Sequence, residues 1–256
     1  LTNNSTDDNM RPSIETYNHV METWGVSDEY HFATMAQNIF DMLASHDIQN
    51  EQNSSDIKPN AQTYRIMLRT WCRSTQKGSA FNAMGVLMKM QTLLEEGVEE
   101  MEPSIEDYLL LLEAWSRADD KFAARRAQAI LRKMDSLNKE EFTEVRPNTE
   151  CFKYVFVAMA NSNLADMGLL ADNLMKQMVN DFFLLPDADC FSAIIETWSH
   201  NARVCETSAA QKEAASKAEE WLVKMERMYH QSSSIIIRAK TENYNSVIRA
   251  WSVCSN

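Results

Sequence analysis

The feature that most constrains this chain is a segment that returns six times. Aligned on a proline, it reads RPSIETYNHVMETWG from Arg11, KPNAQTYRIMLRTWC from Lys58, EPSIEDYLLLLEAWS from Glu102, RPNTECFKYVFVAMA from Arg146 and LPDADCFSAIIETWS from Leu185. A sixth copy, RAKTENYNSVIRAWS from Arg238, carries Ala239 where the proline should be. Pro12, Pro59, Pro103, Pro147 and Pro186 lie 47, 44, 44 and 39 residues apart. A unit of that size cannot bury its apolar face alone, so the copies must stack on one another.

Within each copy the spacing is helical. Five residues after the proline stands an aromatic (Tyr17, Tyr64, Tyr108, Phe152, Phe191, Tyr244), and seven further on Trp24, Trp71, Trp115, Met159, Trp198 or Trp251. Apolar pairs such as Val20 and Met21, Leu111 and Leu112, and Ile194 and Ile195 fall between them. Offsets of 0, 3, 4 and 7 trace one face of a helix, which assigns these residues to a core rather than to stacking on a ligand. Ser13, Asn60, Ser104, Asn148 and Asp187 follow the proline and can cap the helix start; Lys240 breaks that pattern. Thr23, Thr70, Ala114, Ala158, Thr197 and Ala250 mark a close approach by a neighbouring helix, and the slot after the tryptophan is small in every copy, Cys72 included.

A second helix follows in five copies, marked by Ala36, Ala83, Ala127, Ala171 and Ala218 with apolar residues three, four and seven positions on. Met90, Met134, Met178 and Met225 recur at its end and are expected to fill the core. The fifth copy is longer between tryptophan and alanine, through SHNARVCETSAAQKEAASK, which predicts a longer helix pair. Polar segments after the second helix, such as ASHDIQNEQNSSD from Ala44, are expected to be loops. With only five Gly and five Pro among 256 residues, the prediction is an all-α chain, an α-solenoid of stacked helix-turn-helix repeats. Residues 1–10 form a polar N-terminal tail, and residues 11–256 hold five repeats and the first helix of a sixth. Because the chain opens on Leu1 and stops just past Trp251, inside a unit, it is expected to be a fragment of a longer protein.

No apolar run approaches the length that spans a bilayer, so no membrane partner is expected. Cys72, Cys151, Cys190, Cys205 and Cys254 are scattered, with no Cys-x-x-Cys pair and no zinc-ligand histidine spacing. No nucleophile and base set or glycine-rich phosphate loop stands out, so the chain is expected to be non-catalytic, with no cofactor and no metal.

The junctions resemble those of the pentatricopeptide repeat family, in a long-repeat form. Ile57, Lys58, Pro59, Asn60, Thr63 and Tyr64 match the family's repeat junction, Val145, Arg146, Pro147 and Asn148 match it again, and Thr16, Tyr17 and Asn18 match its helix start. The resemblance covers residues 10–256. It implies a superhelix that binds single-stranded RNA, one repeat to a base, in RNA processing, stability or translation in a mitochondrion or plastid. It further implies that the residue after each helix-start aromatic, with the residue after the next proline, reads the base edge. The pairs are Asn18 with Asn60, Arg65 with Ser104, Leu109 with Asn148, Lys153 with Asp187 and Ser192 with Lys240, with Asn245 beginning the next; the first would prefer a pyrimidine.

Where the family places an aliphatic residue two before the aromatic, this chain has Glu15, Gln62, Glu106, Glu150, Asp189 and Glu242. Together with a net charge of -12, the five carboxylates among these support an alternative. In that reading the array is a protein-interaction scaffold whose acidic groove grips a basic or ribonucleoprotein partner. A third reading makes it a positioning array for an enzyme domain outside the fragment.

Overall fold

The computed structural model describes residues 12–27, 29–49, 57–139, 145–232 and 237–254; the N-terminal tail and residues 50–56 of the first polar segment lie outside them. Eleven α-helices run through the described residues, with no strand among them. First helices of the repeat are α1 (Ile14–Gly25), α3 (Ala61–Arg73), α5 (Ile105–Arg117), α7 (Thr149–Ala160), α9 (Ala188–Val204) and α11 (Thr241–Val253). Second helices are α2 (Phe32–Gln49), α4 (Ser79–Glu95), α6 (Ala123–Lys139), α8 (Met167–Asn180) and α10 (Ser208–Ser232). The chain divides into two compact units, Leu1–Ala114 and Trp115–Asn256, and the division falls inside α5.

In the first unit the helix starts are written by their caps. The Asn60 side chain accepts from the Thr63 amide at 3.0 Å while the Thr63 hydroxyl accepts from the Asn60 amide at 3.1 Å, a reciprocal box that satisfies two otherwise orphaned donors. Ser13 accepts more weakly from the Thr16 amide, at 3.4 Å. Helix α1 packs on α2 and α3, and α3 packs on α2 and α4. The marker alanines Ala36 and Ala83 are fully buried, as the repeat pattern requires. Met90 closes a cluster with Ala61, Tyr64 and Met101. A Cβ added at Gly25 would lie 2.7 Å from the Thr70 hydroxyl oxygen, so the small slot after the tryptophan is a helix-to-helix contact. Helix α2 runs on through Gln49, so residues 44–49 are helix where a loop is expected; ASHDIQ contains no Gly or Pro to stop it.

In the second unit α7 packs on α6, α8 and α9, and α9 packs on α8, α10 and α11. Each of these first helices therefore touches the next first helix as well as the second helices before and after it. Asn148 and Asp187 cap α7 and α9 by accepting from the Cys151 and Cys190 amides at 3.0 and 2.8 Å. Lys240 offers no acceptor, and only its own amide is satisfied, by the Asn243 side chain at 2.8 Å. Ala127, Ala171 and Ala218 are fully buried, with Met134, Met178 and Met225 behind them. At 25 residues α10 is the longest described helix, and α9 reaches 17, the longer pair that the insertion predicts.

The core assignment holds for Trp71, Trp115, Met159 and Trp198, all buried. It fails at Trp24, which is half-buried, and at Trp251, 38% exposed, together with Val20 and Ile248. Among the described residues α1 comes first and α11 last, so each has a neighbouring hairpin on one side only. The turns after the second helices differ in one respect. After α4 the left-handed position is Gly97 (φ 96), but after α8 it is Phe183 (φ 56), an aromatic with its side chain 82% exposed.

Candidate functional site

The residues that stand where a base-reading surface is expected flank the first-helix aromatics. The structure places most of them in contacts between hairpins. Asn18 is buried, and its Oδ1 lies 2.8 Å from the Thr63 hydroxyl and its Nδ2 3.4 Å from Asn60 Oδ1. Asn18, expected at a base-reading position, is instead buried where α1 packs on α3, and its amide is spent on the start of the next first helix.

Arg65 is half-buried and braces the chain ahead of α5. Its guanidinium donates to the Glu102 carbonyl at 3.2 Å and lies 3.8 Å from the buried Asp107 carboxylate. Asp107 in turn accepts from the amide and hydroxyl of Ser104, at 2.9 and 3.0 Å, so the candidates Arg65 and Ser104 share one buried carboxylate. In the second unit Ser192 donates to the Ala188 carbonyl at 2.7 Å and accepts from the Asn243 amide at 2.8 Å.

The residue after one aromatic pairs with the residue before the next: Asn18 with Thr63, Arg65 with Asp107, Ser192 with Asn243. The signal was present in the two variable slots taken together, since the partner types are complementary in every one of these pairs. Lys153, whose counterpart Cys190 is a buried thiol, turns instead to Glu150 of its own helix at 3.4 Å. Partial burial opposes its charge, but Glu150, Tyr154 and Asp189 together hold its pKa above the ordinary lysine value.

A second link between hairpins also recurs. The first-helix indole donates to the residue after the marker alanine of the preceding second helix: Trp71 to Gln37 at 2.8 Å, Trp198 to Asp172 at 2.9 Å and Trp251 to Glu219 at 3.0 Å. Asp172 Oδ1 accepts a second indole, Trp221, at 2.8 Å.

What remains open to a ligand lies at the helix starts. Asn148 and Asp187 are engaged as caps, whereas Asn245 is exposed. The starts of α9 and α11 border an open groove of about 650 Å³ lined by Asp187, Asp189, Arg238, Lys240, Thr241 and Glu242. Lys240 lies 3.8 Å from Asp189 across it, and both side chains are more than half exposed. Glu150, Asp189 and Glu242 are exposed at successive starts, so this surface mixes cations with carboxylates.

Burial pushes the Cys151 thiol up to about 11 and Cys190 higher still, so both are protonated and inert at neutral pH. The His200 ring contacts the Arg203 guanidinium at 2.9 Å; burial, then Arg203, holds it below the ordinary histidine value, against the opposing pull of Glu196. Among the described residues no group of three or more His, Cys, Asp or Glu side chains is arranged to hold a metal, and no helix is long and apolar enough to cross a membrane. No protein-family model matches the chain, and no curated protein matches it significantly.

Proposed function

We propose that the chain is a non-catalytic pentatricopeptide-type helical array, a solenoid of stacked hairpins that binds single-stranded RNA along its first helices. Its setting on this reading is RNA processing, stability or translation in a mitochondrion or plastid. One observation carries the reading: the proline junction, the helix-start aromatic and the buried marker alanine recur in one order, and hairpins are joined by the same two links wherever the residue types permit. Such regular stacking builds a long surface from one variable position per unit, which is what reading a single strand base by base needs. Lys153, Lys240 and Asn245 are the contact residues this reading favours, because Asn18, Arg65 and Ser192 are spent between hairpins.

The net charge of -12 and the exposed carboxylates at the helix starts favour a second reading, a scaffold for a basic protein partner. Retention of a labelled pool of single-stranded RNA by the intact chain at 50 and 200 mM salt separates the two. Binding that weakens with salt, and weakens further in a Lys153→Glu, Lys240→Glu variant, supports the RNA reading. Absence of any RNA complex at 50 mM salt overturns it in favour of the scaffold.

A further inference from the structure

On a chain this acidic, helix α6 runs against the overall charge. Helix α6 carries Arg125, Arg126, Arg132, Lys133 and Lys139 against a single carboxylate, Asp135. Five or six residues after each marker alanine of the second unit, its second helices present an exposed cation: Arg132 and Lys133 on α6, Lys176 on α8 and Lys224 on α10. Side-chain bonds link the three helices in order. Arg125 at the start of α6 binds Asp166 at the start of α8 at 2.9 Å, and Trp221 of α10 donates to Asp172 of α8 at 2.8 Å. Lys176 and Lys224 also line one cleft of about 350 Å³ between α8 and α10.

The carboxylates of the same helices are largely engaged. Asp135 is held by Lys139 at 2.7 Å, Glu220 by Lys217 at 2.8 Å, Glu219 by the Trp251 indole and Glu226 by the Tyr244 hydroxyl at 2.6 Å. Arg132, Lys133 and Lys176 have no ion-pair partner among the described residues. Lys224 rests over the Trp221 ring, 4.4 Å from its centroid, a contact that leaves its charge available.

From this we infer that the second helices of Trp115–Asn256 form a sequence-independent contact surface for RNA phosphates, through Arg132, Lys133, Lys176 and Lys224. The inference rests on the RNA reading but names a different surface, one that would hold the strand flanking the segment read at the first helices. Cations without an apolar floor along α6 fit a phosphodiester backbone better than a folded protein partner. The Trp221 face already covered by Lys224 is closed to base stacking, which makes the contact indifferent to sequence.

The test uses the intact chain, a labelled 40-nucleotide single-stranded RNA of mixed sequence, and a variant carrying Arg132→Glu, Lys133→Glu, Lys176→Glu and Lys224→Glu. All four side chains are exposed, so the variant should melt as the parent does; if it does not, four single neutral variants (Arg132→Gln and the three Lys→Gln) replace it. Expected is a loss of about tenfold or more in affinity at 100 mM salt, with the slope of log affinity against log salt flattening by about 2 to 3. Affinity and slope equal to the parent's overturn the inference and leave the RNA reading standing. No binding by the parent overturns both. Displacement of the RNA by polyglutamate at equal charge, lost in the variant, assigns these cations to an acidic protein and overturns the RNA assignment.

Discussion

Asp172 shows how one side chain can tie several elements together. Its Oδ1 accepts the indoles of Trp198 and Trp221, so α8, α9 and α10 meet at one oxygen. Asp172→Leu strands two largely buried donors and is expected to cost about 2–4 kcal/mol, measured by urea denaturation. Asp172→Asn keeps the acceptor and should cost less than half as much; equal losses would show that packing, not the hydrogen bonds, is what matters. His200 makes a pH prediction. Its folded pKa lies below its unfolded value near 6.5, so the unfolded state takes up the proton first. Stability should therefore fall as pH drops below about 6.5 and level off once the folded ring is protonated. In a His200→Gln variant the melting temperature should drop less between pH 7.5 and 5.5 than in the parent, with Arg203 and Glu196 unchanged beside it. At this scale the core was legible from periodicity, since Tyr108, Phe152, Phe191 and the marker alanines are all buried. The burial of Asn18 is not legible in the sequence, because a polar side chain at a variable position looks the same whether it faces water or a neighbouring helix.

At the scale of elements, the helix starts were plain in the sequence because capping is local: an acceptor side chain and an amide three residues on are all it requires. The turns were less so. Gly97 occupies the left-handed position after α4 at little steric cost, while Phe183 occupies it after α8. A bulky residue there carries roughly 1–2 kcal/mol of strain, and its exposed ring recovers almost no burial. Phe183→Gly is accordingly expected to stabilise the second unit by about 0.5–1 kcal/mol, read as a rise in the urea midpoint. A fall in the midpoint would mean that the ring makes contacts worth more than the strain. The end of α2 was misjudged for a related reason, since polarity alone does not stop a helix; a residue that cannot continue it is needed.

For the whole molecule, carboxylates outnumber cations to give a net charge of -12, and at low ionic strength that charge repels itself across the fold. Raising sodium chloride from 10 to 200 mM shortens the screening length from about 30 Å to under 10 Å and should raise the melting temperature. A fall would show instead that ion pairs such as Arg125–Asp166 and Lys139–Asp135 outweigh the repulsion. The sequence by itself determined the all-helical class, the buried face of the inner first helices and where the capped first helices begin. Those depend on residues within one or two turns of each other, and six similar copies state them repeatedly. Tertiary structure alone decided which variable residues are spent between hairpins and that Trp24 and Trp251 stay partly in water. Each of those turns on residues some forty positions apart, whose meeting depends on how one hairpin settles on the next.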